Sequence, residues 1–170
     1  KTWPAESIEE AYAAGQRAFG ENQEQEADRK ITALAHLPLE WHFIGPIQSN
    51  NTRPIAERFA WVHSCDREKI ARRLSDQRPE ALAPLMVCIQ VNISGEHTKS
   101  GVEPMEALDL ARVVGAMPRL QLRGFMAVPA PTDDIDLQRA QFRRLRQLFE
   151  TARAAGMNID TLSMGMSDDL

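Results

Sequence analysis

Leu85-Met86-Val87-Cys88-Ile89-Gln90-Val91 is apolar at every position except Gln90. A strand with one wetted face alternates apolar and polar residues; an unbroken apolar run is the mark of a strand covered on both faces, as in a parallel sheet flanked by helices. The segments around it read consistently with that placement. Downstream, residues 94–101 form a polar loop, and a helix runs from Pro104, a residue suited to the first helical position, to about residue 116. Residues 120–127 make the next strand, with Arg123 and Gly124 in its middle. A long helix over 135–155 carries Phe142, Leu145, Phe149 and Ala152 on one stripe. A last strand covers 159–163.

Upstream, the first helix starts at Pro4, with Glu6, Glu9 and Glu10 near its positive end and Gly15 as its stop. Strands over 17–19, 40–44 and 60–64 alternate with helices ending near Leu37, over 52–59 and over 67–75. Six strands, with a helix after nearly every one and no hairpin signal, predict a parallel α/β fold, either a doubly wound sheet or a (β/α)8 barrel. The expected fold is a (β/α)8 TIM-type barrel lacking its first strand and its last βα unit, since a full barrel commonly needs more than ~200 residues.

The 170 residues are expected to form a single domain, 1–170. A net charge of -4 argues against nucleic acid as the main partner. The longest apolar run falls short of the ~20 residues of a membrane span. Cys65 and Cys88 show neither metal-ligand spacing nor a disulfide framework, and a cytoplasmic monomer is the expectation.

The chemistry-bearing phrases lie at strand ends, where barrel sites collect. Lys1-Thr2-Trp3-Pro4 stands at one end of the chain and Ser163-Met164-Gly165-Met166-Ser167-Asp168-Asp169 at the other. A lysine amine at such a mouth can form a Schiff base, and a glycine-serine turn opening a helix can hold a phosphate. Together they suggest pyridoxal 5'-phosphate (PLP). The plain alternatives are a solvated lysine and a serine that only caps its own helix. Gly20-Glu21-Asn22 and Gly45-Pro46 with Gln48-Ser49-Asn50 also end strands, although turn chemistry alone accounts for such residues. Met126 ends a strand where it packs either on a cofactor ring or in the core. His36, His42, His63 and His97 form no metal pattern, and His42 reads as a satisfied core or rim histidine. Arg139, Arg143, Arg144 and Arg146 read as a solvated helix face, and Lys99-Ser100-Gly101 as a loop tip able to meet an anion.

The ordered phrases resemble the PLP homeostasis protein family, whose barrel is similar to the N-terminal domain of alanine racemase. They are Lys1-Thr2 with Pro4-Ala5, Phe19-Gly20-Glu21-Asn22 with Gln25-Glu26, Trp41-His42-Phe43-Ile44-Gly45 with Gln48 and Asn50, Val91-Asn92-Ile93 with Lys99-Ser100-Gly101, Gly124-Phe125-Met126, and Leu162 to Asp168. The resemblance implies that Lys1 carries PLP, that Asn22 and Met126 lie near its ring, and that Ser163, Gly165 and Ser167 belong to the cofactor site, Ser167 at the phosphate. Gln23-Glu24 and Asn51 depart from residues more usual in the family and are expected to tune the rim. The expected function is non-catalytic holding and delivery of PLP, with apo PLP-dependent enzymes as partners. The alternatives are an amino-acid racemase of alanine racemase type and a cofactor-free interaction module. Racemisation needs two positioned bases, and the single tyrosine, Tyr12, falls on a helix.

Overall fold

The structure is a computed structural model that describes residues 3–95 and 100–165. Six strands alternate with six helices: α1 (Ala5–Ala13), β1 (Ala18–Glu21), α2 (Glu24–Ala33), β2 (Glu40–Phe43), α3 (Thr52–Arg58), β3 (Trp61–Cys65), α4 (Glu68–Gln77), β4 (Leu85–Gln90), α5 (Pro104–Gly115), β5 (Leu120–Ala127), α6 (Ile135–Ala154) and β6 (Thr161–Met164). The strands lie side by side in chain order, every pair parallel. This is the predicted barrel wall, six strands wide. The last strand begins at Thr161, later than its sequence suggests. Ile159 is buried in the approach to it, and its N–H donates to Met157 O at 3.1 Å rather than to a neighbouring strand.

The sheet is curled. Strands spaced ~4.8 Å apart put β3 and β6 roughly 14 Å from each other in a flat sheet. Yet His63 Nδ1 of β3 lies 2.8 Å from Ser163 Oγ of β6, and the Arg123 guanidinium of β5 sits 4.9 Å over the Trp61 ring of β3. Those contacts fit only on the concave side of a barrel wall.

Strand alternation separates the two faces. The convex face carries Phe43, Val62, Val87, Ile89 and Phe125, and these pack with Ile55, Ile70, Leu74, Val114 and Leu145 of the helices in one continuous core. Burial of each such side chain contributes ~1.5–3 kcal/mol. The concave face holds a second, smaller cluster of Trp61, Cys88 and Met126 among polar groups. β4 is buried at every position except the half-buried Met86, as its apolar run requires. On α6, Leu145, Phe149 and Ala152 are buried as the stripe predicts, and Gln141 is buried beside them.

Curling brings β5 and β6 close together at one point. A Cβ on Gly124 would fall 1.8 Å from Thr161 O, a backbone atom that cannot swing aside. Gly115, at the end of α5, has only ordinary contacts around its missing side chain, the nearest at 3.7 Å. Gly124→Ala is therefore expected to destabilise the domain by ~1–3 kcal/mol or more through overpacking. Gly115→Ala should be neutral or stabilising by up to ~1 kcal/mol through helix propensity. Urea unfolding of both variants checks the contrast, and equal midpoints would show that the strands tolerate wider spacing.

Candidate functional site

The C-terminal strand ends form one rim, and backbone groups fix its first part. Ile44 N–H donates to Glu21 O at 2.8 Å, carrying the β1–β2 ladder past the end of β2. A Cβ on Gly45 would lie 2.0 Å from Asn22 O, so only glycine permits the two strand ends to interlock. The buried Ser64 hydroxyl of β3 donates to Gly45 O and pins the same residue from the other side. Asn22, half-buried, is thereby held at the mouth. In the turn that follows, Asn51 Oδ1 accepts from Gln48 N–H at 2.9 Å. The departure at Asn51 thus serves the rim loop itself.

The middle of the rim is tied across β4. Val91 N–H donates to Met126 O at 2.8 Å, and Asn92 N–H and Val102 N–H bond Val102 O and Gln90 O, each at 2.9 Å. Gly101 makes that return possible: its φ is +117°, and a Cβ there would lie 2.6 Å from Asn92 N. Ser100, expected at a loop tip, consequently faces a cavity of about 310 Å³ shared with Ile44, Gly45, Gln90 and Val128. The segment after β5 is fixed by Gln141, whose buried Oε1 accepts from Ala130 N–H at 3.1 Å. Arg144 is exposed, as expected of that helix face, and its guanidinium also donates to Ile93 O at 3.2 Å and secures the outgoing end of β4.

Of the anticipated site residues, Met126 and Ser163 are register partners on β5 and β6. Met126 is 5% exposed and packs with Trp61 and Cys88, so it is floor beneath the mouth rather than rim. Gly165 follows β6 with φ +118°, the left-handed geometry of a turn. Asn22 follows β1, the strand at the other edge of the sheet, and packs against Gly45. Lys1 and Ser167 lie outside the described residues, as do Lys99 and His97.

Beneath the mouth the concave wall carries a hydrogen-bonded series. Ser163 Oγ meets His63 Nδ1 at 2.8 Å, His63 Nε2 meets His42 Nδ1 at 2.8 Å, and His42 Nε2 meets Glu40 Oε1 at 2.9 Å. His42 also stacks on Trp61, with the rings 8° from parallel, and so is the satisfied histidine that its strand position suggests. Burial, with a smaller contribution from His42, pushes His63 down to about 4. Burial pushes both Cys65 and Cys88 up to about 12, so they persist as thiols rather than nucleophilic thiolates. Tyr12 is far from this chemistry. It sits in the last turn of α1, at the end leading into β1, with the Arg17 guanidinium 4.0 Å above its ring.

Sequence reasoning passed over His63, Ser64, Gln90 and Gln141. His63 had a readable signal, since it shares a strand face with Trp61 and alternates with buried Val62. The other three depend on partners distant in sequence.

The cavity is at the small end of ligand pockets, which start near ~300 Å³. The Gly45 backbone that interlocks with Asn22 lines it. Comparison with known proteins agrees. The family profile described as alanine racemase, N-terminal domain, matches residues 4–170. A pyridoxal phosphate homeostasis protein of Pseudomonas aeruginosa is 59% identical over 170 residues, covering 100% of this chain and 73% of that protein. Its counterpart in Escherichia coli is 51% identical, covering 100% of this chain and 74% of the relative. The solved structure of PipY from Synechococcus elongatus with PLP bound superposes with a TM-score of 0.88 at 36% identity, covering 98% of this chain and 79% of that one. An alanine racemase of Clostridium difficile, 11% identical, covers 96% of this chain and 42% of its own length with a TM-score of 0.77, and shares the fold. A curled parallel wall with its glycine-built mouth and this range of relatives converge on one conclusion: the chain belongs to the alanine racemase N-terminal domain family, and within it to the pyridoxal phosphate homeostasis proteins.

Proposed function

We propose that residues 1–170 act as a single unit that holds PLP at the mouth of the half-barrel and serves PLP homeostasis without catalysing a reaction. The observation that carries this reading is the Asn22–Gly45 interlock beside the cavity, at the same C-terminal edge of the parallel sheet as the Gly165 turn. The cofactor supplies an aldehyde, which a lysine amine captures as a Schiff base with loss of water. Lys1 is the residue proposed for that bond. Backbone N–H groups of the turn at Gly165, with the Ser167 hydroxyl, are proposed for the phosphate. Asn22 is proposed to face the ring from the β1 side, and Ser163 from the β6 side above the Met126 floor.

The non-catalytic reading rests on what the mouth lacks in position. Racemisation needs an acid or base on each face of the substrate carbon. The sole tyrosine stacks under Arg17 at the far end of α1, and His42 is committed to Glu40 and His63 within the wall. Apo PLP-dependent enzymes are the proposed recipients, in the cytoplasm, with the chain acting as a monomer. The net charge of -4 disfavours a nucleic-acid role. Among the described residues no helix is long and apolar enough to cross a membrane.

Three outcomes are expected. Borohydride reduction of the PLP-loaded protein followed by peptide mapping should place the label on the Lys1 side chain; label on Lys30 or Lys69 would defeat that assignment. Ser167→Ala should weaken PLP binding roughly ten-fold to a hundred-fold, the loss of one hydrogen bond to a charged group worth ~1.5–3 kcal/mol. Unchanged affinity in equilibrium titration would make Ser167 a helix cap and nothing more. L-Alanine incubated in deuterium oxide should exchange its α-proton far more slowly than ~1 per second, the low end of enzymatic turnover. Faster exchange, abolished by Lys1→Ala, would restore the racemase.

A further inference from the structure

The four-residue series in the concave wall has one direction when both of its imidazole rings are neutral. Glu40 enters as a carboxylate, which only accepts hydrogen bonds. His42 Nε2, at 2.9 Å, must therefore carry a proton. With the His42 ring neutral it has this one N–H only, so His42 Nδ1 is an acceptor, and His63 Nε2, at 2.8 Å, donates to it. The same count makes His63 Nδ1 an acceptor, and the Ser163 hydroxyl donates to it at 2.8 Å. Every bond thus points from β6 through β3 to β2. The series runs from Ser163, one residue from the end of β6, to Glu40, the first residue of β2. It joins the cofactor mouth to the opposite, solvated end of the sheet, where the Glu40 side chain is 47% exposed.

We propose that Glu40, His42 and His63 commit the Ser163 proton inward, so that Ser163 meets the bound ring as a hydrogen-bond acceptor and selects a ring atom that carries a proton, rather than helping to hold the phosphate. The proposal rests on the PLP reading above. An oxygen whose proton is spent on His63 presents lone pairs to the mouth. Lone pairs repel a phosphate dianion and attract a protonated pyridine nitrogen. Ser163 also sits inside the wall, two residues short of the Gly165 turn, where a phosphate finds backbone donors instead. His63 is accordingly a positioning residue: it acts on the ligand only through Ser163.

The surroundings keep His63 in the required state. Its neighbours are His42 on β2, which Glu40 backs, Trp61 on its own strand, and Ser163 on β6. The Arg123 cation of β5 lies over Trp61, and is itself paired with Asp160 at 2.5 Å. No carboxylate touches His63 directly, and burial holds it neutral down to about 4. The sign of the pH effect follows. An unfolded histidine gains its proton near 6.5, while the folded one resists until about 4. The arrangement is therefore intact above 6.5 and loses stability as pH falls toward 4, where a doubly protonated His63 would turn Ser163 outward as a donor.

The test combines two readouts on the full chain. Histidine side-chain ¹⁵N NMR of the protein without PLP, at pH 7.5, should show His63 and His42 as Nε2–H tautomers. A proton on His63 Nδ1 overturns the relay directly. PLP titration, followed by absorbance from pH 5 to 9, should then show Ser163→Ala and His63→Phe weakening binding by the same factor, roughly five-fold to thirty-fold. Both should shift the pH midpoint of the bound chromophore downward, since the protonated ring loses its acceptor. His63→Asn, whose side-chain oxygen still accepts from Ser163, should recover most of the affinity, which a loss of packing alone would not allow. Phosphate-free pyridoxal should suffer the same fold-losses as PLP. Losses confined to PLP would make Ser163 a phosphate ligand and overturn the proposal. The PLP reading fails separately: wild-type protein would then develop no PLP absorbance band at any pH, whatever its histidine tautomers.

Discussion

A parallel sheet that curls must bury two unlike faces at once, and nearly every feature of this chain depends on that requirement. The convex face is satisfied by apolar packing, non-directional and tolerant of shape. The concave face is narrower, and it is filled by aromatic rings and hydrogen-bonded polar groups whose partners must be in place. His63 reaching Ser163 and Arg123 lying over Trp61 are contacts made across the chord of the curve. Gly124 lets the wall tighten where β5 and β6 meet. Without the close approach at that point, Ser163 would move out along the arc and the interior bonds would lengthen together. The wall's curvature and the site's geometry are thus one property.

The rim is assembled by a different device, in which side chains and glycines bind loop backbone. Ser64 and Asn22 hold Gly45, Gln141 holds residue 130, and Arg144 holds residue 93. The same device supports the opposite side of the barrel. There Arg78, largely buried, donates to Ala56 O and Phe59 O at 2.7 Å and to Ala83 O at 2.8 Å. Its guanidinium satisfies the carbonyls left at the end of α3 and joins the α4–β4 loop to them. Backbone carbonyls, rather than carboxylates, compensate the burial of that cation. Loops beside the rim cavity therefore depend on α6, which supplies none of the residues that line it.

The element order was legible because it rests on local periodicity. The run from Leu85 to Gln90 announced two-sided burial, and the Leu145–Phe149–Ala152 stripe announced the face of α6. Pro104 and Gly15 marked a start and a stop. The start of β6 was misjudged because Ile159 is apolar for a tertiary reason: it is buried beside the strand without pairing in it. The site was legible in its glycines and strand-end phrases, since a turn or a close backbone approach leaves a residue-type signature. Its interior was not legible. Nothing in a strand reading of residues 61–65 reveals that His63 meets a serine one hundred positions later. Arg144 is solvated as helical periodicity assigns it, but periodicity does not show that its long side chain also reaches the Ile93 carbonyl.

The residue just before Asn22 shows how the convex face governs the concave mouth. Glu21 is 3% exposed and faces α2, where Lys30 Nζ lies 2.6 Å from its carboxylate and 2.7 Å from Glu26. Burial would lower the lysine's affinity for its proton, but the hydrogen bonds it donates to Glu21 and Glu26 outweigh it and leave Lys30 raised. Taking such charges from water costs several kcal/mol per ion, and removing one partner of a buried pair typically costs ~3–5 kcal/mol because the other is left unpaired. The pair is therefore weak as a source of stability and strong as a constraint on position, since few arrangements of α2 against β1 satisfy it. The bond from Ile44 N–H to Glu21 O fixes the same residue to β2. Asn22 inherits both restraints through one peptide link. Its place at the mouth is thus set by charges on the opposite side of the sheet.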